Sequence, residues 1–151
     1  GIAGVLFFDI ALLIGRFIGG VILSFIKPKT FFRISVIISL LGIAGIFLSS
    51  NSIGVGNSTL GFVSAFVAGL GFANIFPLIF SITIDQIPER SNELSGLMVT
   101  AIVGGAFIPP LMGFVADQTS ILSGFWVPVV FLTYILLLAL FNIKPAKPIK
   151  S

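Results

Sequence analysis

Long apolar runs alternate with short polar segments along the whole chain. The runs, each of 20 or more mostly apolar residues, cover positions 1–26, 31–50, 59–84, 94–116 and 121–143. An α-helix needs about 20 apolar residues to cross the roughly 30 Å hydrocarbon core of a bilayer. The pattern therefore predicts five transmembrane helices and an all-α integral membrane fold.

The connections between the predicted helices differ in charge, and this difference predicts their sides. Basic residues occur in the first and third connections, at the start of the second predicted helix and in a polar tail at 144–151, namely Lys27, Lys29, Arg33, Arg90, Lys144, Lys147 and Lys150. The second and fourth connections contain none. Short cytoplasmic loops of membrane proteins collect Lys and Arg. We therefore expect a multi-pass protein of the plasma (inner) membrane, with residue 1 outside and the C-terminal tail in the cytoplasm.

Composition supports this interpretation and removes several function classes. The chain is 57% hydrophobic and 9% charged, whereas soluble domains carry about 25% charged residues. The formal charge of +3 does not indicate a nucleic-acid partner, because the basic residues flank apolar helices instead of forming a patch. The sequence has no cysteine or histidine and no nucleotide-binding, nucleophile or metal motif. We expect neither an enzyme, nor a cofactor, nor a metal site.

Two charged residues, Asp9 and Arg16, lie inside the first apolar run. A charge at the helix centre costs at least about 2.5–3.5 kcal/mol on insertion scales, so each needs a partner or water. Seven residues of helix place them on one face, roughly 10 Å apart along the axis, which is too far for direct contact. We predict that they gate a pathway or contact an opposing domain. The alternative is structural pairing with a neighbouring helix or with backbone carbonyls.

The third run carries polar groups and a helix breaker. Asn74, Ser81 and Asp85 share one helical face by spacing, and Pro77 removes a backbone hydrogen bond. Broken helices in membranes persist where protein or a water-filled cavity satisfies the freed group. We predict that Asn74, Pro77 and Ser81 line a substrate cavity. The alternative is contact between helices, worth about 0.6 kcal/mol per side chain.

The fourth run is rich in small residues and ends its regular pattern at Pro109 and Pro110. Small residues allow close approach of helices in membranes. We predict Thr100 as a further cavity residue, and Gly104 and Gly105 as part of a moving interface between domains. Tight static packing is the alternative for all three.

Several motifs follow one another in an order that is typical of one family. They are Gly15-Arg16-Phe17, the basic loop Lys27-Pro28-Lys29, the segments 72–81, 95–98 and 101–106, and Gly113 followed by Ala116-Asp117. This series resembles the C-terminal part of a major facilitator superfamily transporter, and more narrowly the fucose–galactose–glucose:proton symporter group. The resemblance implies that the five runs are helices 8–12 of a twelve-helix carrier. Helix 7 and the N-terminal half are then expected upstream of this sequence.

The resemblance also implies a function. It implies proton-coupled uptake of a hexose or related sugar by alternating access, with the sugar, the proton, the lipid bilayer and the N-terminal half as partners. Asn74 would bind sugar hydroxyls, Pro77 would act as a hinge, and Arg16 would gate. Asp9 departs from the family, where an aromatic residue is expected. A drug or metabolite exporter of the same superfamily and a non-transporting membrane subunit are the alternatives.

Overall fold

A computed structural model describes residues 2–50 and 58–141, with side chains from residue 4 onward. All regular structure in these ranges is helical: α1 is Ile2–Ile22, α2 Pro28–Ser49, α3 Ser58–Gln86, α4 Ser91–Gly105, α5 Ile108–Gln118, α6 Ile121–Gly124 and α7 Trp126–Phe141. A 3₁₀ turn, Pro88–Arg90, joins α3 to α4. The polar tail predicted at 144–151 and most of the second connection lie outside the described residues.

The helices form five segments long and apolar enough to cross a membrane, namely Gly4–Ile22, Pro28–Ser49, Ser58–Gln86, Pro88–Gln118 and Ile121–Phe141. The prediction of five transmembrane helices and an all-α fold is therefore confirmed. The fourth segment consists of the 3₁₀ turn, α4 and α5, and the fifth of α6 and α7.

The boundary between the first two helices differs from the hydrophobic run. Helix α1 ends at Ile22, and the N–H of Phe25 then donates to the Ile22 carbonyl at 2.9 Å, which tightens the last turn. Helix α2 begins at Pro28, since proline fits the first helical position, where no N–H is needed. The apolar runs, 1–26 and 31–50, extend past the end of α1 and start after the beginning of α2. Hydropathy therefore predicts the two spans but not where these helices end and begin.

Helices α1 and α3 run parallel and touch through small residues. A Cβ built on Gly69 would lie 2.8 Å from the Ala11 methyl, and one built on Gly15 would lie 2.8 Å from the Ala73 methyl. Positions rise together along both helices, which establishes the parallel direction. The two backbones approach so closely because glycine and alanine occupy the contact.

Helices α2 and α3 run antiparallel with an equally close contact. A Cβ on Gly42 would lie 2.6 Å from Cα of Ala68, whereas Gly45, one turn later, faces Ser64, one turn earlier. Val36, which is fully buried, lies in the core formed around this contact. Helix α2 is thus one of the two most buried helices of the described chain.

Helix α7 also packs antiparallel against α2. Near the start of α2, the Arg33 guanidinium donates two hydrogen bonds to the Ala139 carbonyl, at 3.2 and 2.9 Å. Near its end, the rings of Phe47 and Trp126 lie 5.2 Å apart. The end of α7 therefore lies beside the start of α2, on the side to which the sequence assigns the basic connections.

The fourth span differs from the rest of the chain. The helix stops at Gly105 and restarts at Ile108, two residues before the second of the two prolines. No residue of α4 or α5 is buried among the described parts of the chain. Near the end of this span, Gly124 of α6 faces the Met112 carbonyl and the Ala116 methyl of α5.

Candidate functional site

Asn74 lies in the contact between α1 and α3. Its side chain is 7% exposed, and its amide group donates to the Gly15 carbonyl of α1 at 2.9 Å. A Cβ on Gly19 would overlap the Asn74 side-chain oxygen. The two glycines of α1 thus make room for the amide, and Asn74 joins the two helices. This is the role that the sequence offered as the alternative to cavity lining.

Pro77 lies one turn beyond Asn74 and is exposed. Helix α3 continues through it without interruption. Proline at this position frees the carbonyl four residues earlier, that of Ala73. Ala73 is only 2% exposed and packs against Gly15, so the freed group lies at the α1–α3 contact.

Ser81 does not share the environment of Asn74. Its hydroxyl is half-buried and donates to the Asp85 carboxylate at 3.5 Å, one turn toward the helix end. The polar face predicted along α3 is therefore divided. Asn74 points into the contact with α1, while Ser81 and Asp85 form an accessible pair near the end of the helix.

Asp9 and Arg16 are exposed on α1, away from the face formed by Ala11 and Gly15 that touches α3. Among the described residues neither makes an ion pair or a side-chain hydrogen bond. A charge at bilayer depth needs protein or water around it. Within the described chain, Asp9 and Arg16 lack such a protein partner.

Thr100, Gly104 and Gly105 lie on the exposed surface of α4. The Thr100 hydroxyl donates to the Gly96 carbonyl one turn back at 2.9 Å. A Cβ built on Gly104 or Gly105 would meet nothing within 4 Å. Static packing within the described chain does not explain these small residues. The structure does not bring them near Asn74, because α4 leaves α3 at the turn that joins them.

An apolar groove that sequence reasoning missed lies between α1 and α3. It has a volume of about 280 Å³ and is lined by Phe7, Thr59, Phe62, Val63 and Phe66. Pockets for drug-sized ligands are about 300–1,000 Å³, so the groove alone is small for such a ligand. No signal in the sequence separates these aromatic residues from the rest of the 17 Phe.

Arg33 is a second residue whose role the sequence did not indicate. The sequence indicates only a basic residue at the start of the second helix, yet Arg33 holds the end of α7 through the Ala139 carbonyl. Its target is 106 residues away in sequence. Local pattern therefore has no means of identifying it. Groups of three or more metal-ligating side chains do not occur in the part of the chain that the structure describes.

The chain is similar to curated sugar transporters. It is 33% identical over 139 residues to a Helicobacter pylori protein named "Putative glucose/galactose transporter", covering 87% of this chain and 32% of that protein. It is 26% identical over 132 residues to the glucose/galactose transporter of Brucella abortus, with 87% and 30% covered. It is 29% identical over 127 residues to the L-fucose-proton symporter of Haemophilus influenzae, with 83% and 27% covered.

These matches confirm the resemblance to the fucose–galactose–glucose:proton symporter group. The chain spans about a third of the length of the first two relatives named here. No solved structure matches it significantly. The family description that matches the sequence extends over residues 1–151 and is the Major Facilitator Superfamily. With five membrane-length apolar helices and this match over its whole length, the chain belongs to the Major Facilitator Superfamily.

Proposed function

We propose that this chain forms one part of a carrier that takes up a hexose or related sugar together with protons. The observation that carries the proposal is the similarity, over more than four fifths of the chain, to proteins named for glucose, galactose and L-fucose transport. One of these relatives is named as a proton symporter, which supports the coupling ion. The remaining partner is the other part of the carrier. In the relatives, that part is the length of chain that this sequence does not match.

Secondary carriers hold their substrate near the bilayer midplane between two groups of helices that rock against each other. In our proposal this chain supplies one wall of that site. Ser81 and Thr100 present hydroxyl oxygens that retain accepting capacity, since each hydroxyl donates only once. Asn74 supports this wall from inside the α1–α3 contact, because its amide group donates to the Gly15 carbonyl. Pro77, exposed on α3, allows that helix to bend.

The gating surface in this proposal consists of Asp9 and Arg16 on α1 and of Gly104 and Gly105 on α4. All four are exposed, and the two charges need partners that the described chain lacks. Opposing charged or polar groups on the other part of the carrier would satisfy them in one state and release them in the other. The open glycines let another helix slide close to α4.

Transport by the complete gene product, with any sequence that precedes Gly1, tests the proposal. The product is reconstituted in proteoliposomes and given radiolabelled glucose, galactose or L-fucose. An inward proton gradient should drive accumulation, and a protonophore should abolish it. Accumulation driven only by a sodium gradient would show that sodium, and not the proton, is the coupling ion. If no sugar accumulates under either gradient, sugar transport is wrong, and efflux of an apolar compound would instead support the exporter alternative.

The orientation belongs to the same proposal. We place the end of α5 outside and the turn after α3 in the cytoplasm, because the basic connections mark the cytoplasmic side. These 151 residues contain no cysteine, which simplifies labelling. A membrane-impermeant maleimide should label Gln118→Cys in intact cells and Glu89→Cys only after permeabilisation, in a product otherwise free of cysteine. The reverse pattern would invert the assignment.

A further inference from the structure

Proton coupling requires a side chain that binds and releases a proton inside the membrane. Proton relays in membrane pumps and transporters are built from Asp, Glu and His. This sequence contains five acidic residues and no histidine. A proton-binding group of this kind within the 151 residues is therefore one of five carboxyl groups.

Four of the five carboxyl groups lie at the ends of helices. Asp85 is in the last turn of α3, Glu89 in the 3₁₀ turn, Glu93 in the first turn of α4 and Asp117 in the last turn of α5. A group at the end of a span faces the water on one side of the membrane only. The fifth carboxyl group, that of Asp9, lies within the span Gly4–Ile22.

The contact between α1 and α3 gives the depth of Asp9. Ala11 faces Gly69, and Gly15 faces Ala73, so Asp9 is level with position 67 of α3. At 1.5 Å of rise per residue, that level is roughly 13 Å from the start of α3 and roughly 28 Å from its end. In the proposed orientation both helices begin outside. Asp9 is then the deepest carboxyl group of the described chain, and it lies toward the side from which protons enter during uptake.

No charged side chain of the described chain neutralises Asp9. It is exposed and makes no ion pair there. Helix α3, which packs along α1, carries one charged residue, Asp85, roughly 27 Å beyond the level of Asp9. Lys29 and Arg33 lie in the first turns of α2, at that same distant end. Arg16 is roughly 10 Å away along α1, so no ion pair within the described chain holds Asp9 in its charged form.

We infer that Asp9 binds the coupling proton and that this proton controls the gate proposed for α1. The inference rests on the proposed function and assigns its coupling step to one residue. The family resemblance implies an aromatic residue at this position, so the assignment is specific to this chain. An arginine side chain keeps its proton in proteins. The charges of Asp9 and Arg16 therefore cancel when Asp9 is ionised, and the face carries one net positive charge when Asp9 is protonated.

The proposed step is a transfer of one proton in each direction of exposure. From outside, a hydronium ion gives its proton to a carboxylate oxygen of Asp9 and leaves as water, and the side chain becomes a neutral acid. From inside, the O–H bond of this acid breaks and the proton passes to a water molecule, which restores the carboxylate. A basic group across the gate would be attracted by the ionised form and released by the protonated form.

The first test uses Asp9→Asn in the complete gene product, because asparagine is neutral and similar in shape to a protonated aspartate but binds no proton. The product is reconstituted in proteoliposomes that contain a trapped pH indicator. In the unmodified carrier, the preferred hexose moving in down its own gradient should acidify the lumen. Asp9→Asn should let the sugar equilibrate without acidification. An inward proton gradient should then not raise its lumenal concentration above the outer one.

Asp117→Asn is the matched control, since it removes the same charge from an exposed position at the end of α5. It should acidify the lumen and accumulate sugar as the unmodified carrier does, and so should Asp9→Glu, which keeps a carboxyl group. A folded Asp9→Asn variant that still acidifies the lumen overturns the inference. Loss of sugar equilibration in that variant also overturns it, because Asp9 would then serve the passage of sugar itself. Proton-driven accumulation by the unmodified carrier keeps the proposed function standing in both cases.

A second measurement compares two carriers that both keep a carboxyl group. Infrared difference spectra between acidic and neutral buffer show the C=O stretching bands of carboxyl groups that gain a proton. Aspartic and glutamic acid side chains absorb at slightly different frequencies. With the transported sugar present, one of these bands should therefore shift in Asp9→Glu relative to the unmodified carrier. Identical bands in the two carriers overturn the inference, even where Asp9→Asn does not fold.

Discussion

Glycine has opposite surroundings in two regions of this molecule. Along α1, α2 and α3 most glycines face a neighbouring helix at contact distance, namely Gly15, Gly19, Gly42, Gly45, Gly69 and Gly71. Along α4 and α5 an added Cβ would meet nothing within 4 Å at Gly96, Gly104, Gly105 and Gly113. Glycine therefore marks a helix–helix contact within the described chain in the first region, and an open helix surface in the second.

The two regions differ in how far the described chain satisfies their packing and their hydrogen bonds. The first three helices satisfy each other, since their small residues allow close packing and their buried polar groups have partners. Helices α4 and α5 have no buried residue in the described parts of the chain. They also carry the span's backbone break. In the proposed carrier we therefore assign α4 and α5, together with the exposed charges of α1, to the working face that meets the rest of the protein, and the contacts among α1, α2 and α3 to its support.

The largest expected effect comes from placing a large side chain in the α2–α3 contact. Gly42→Leu would drive a side chain into the backbone of Ala68, whose Cα lies 2.6 Å from the position of a Cβ on Gly42. Backbone cannot shift as a flexible side chain does, so the cost should exceed the usual 1–3 kcal/mol of overpacking. We expect loss of monodisperse protein in detergent gel filtration. Gly96→Leu, its control on α4, should keep the elution profile; equal loss in both would remove the contrast between the regions.

Arg33 provides the next largest effect. Arg33→Lys keeps the positive charge but cannot form both bonds to the Ala139 carbonyl. Hydrogen bonds from charged groups are worth about 1.5–3 kcal/mol, and we expect about half of that to be lost in thermal unfolding in detergent. Arg90→Lys is the control, because the Arg90–Glu93 pair is about two-thirds exposed and such pairs contribute little. Equal stability of the two variants would show that Arg33 does not hold α7.

These contrasts mark what sequence reasoning could reach. Membrane spans were predictable because the transfer of an apolar run into lipid depends on the run itself. The break in the fourth span was also predictable, since proline lacks a donor wherever it stands. The direction of a side chain was not. Asn74 and Ser81 share one face by spacing, yet one contacts α1 and the other pairs with Asp85.

Partners distant in sequence were out of reach for a related reason. The bond of Arg33 to α7 and the fit of Gly19 around Asn74 depend on how whole helices are placed. In the sequence, the glycines of α1 and those of α4 both indicate a helix surface made of small residues. Only the packed structure shows that the first is occupied and the second is open.

Asn74 and Arg16 sharpen the comparison between support and working face. Asn74→Ala should lower both stability and uptake, because it breaks the bond to Gly15; interhelical bonds of this type average about 0.6 and reach about 1.7 kcal/mol. Arg16→Ala should lower uptake alone, since Arg16 is exposed and has no partner among the described residues. Thermal unfolding and uptake are measured on the same preparations. Normal uptake by both variants at normal expression would contradict both assignments.

The smallest expected effect is at Thr100, on the open surface of α4. Thr100→Val keeps the shape and removes a hydroxyl that bonds only to the Gly96 carbonyl of its own helix. Exposed substitutions of this kind change stability by less than about 0.5 kcal/mol, so the thermal unfolding temperature should stay the same.

If Thr100 lines the cavity, losing one hydrogen bond to sugar should raise KM by about 2- to 10-fold, with transport at saturating sugar unchanged. Thr119→Val is the control, because Thr119 makes the same type of bond to Val115 at the end of α5, away from the midplane. An equal KM for both variants would leave Thr100 on the working face without a role in binding.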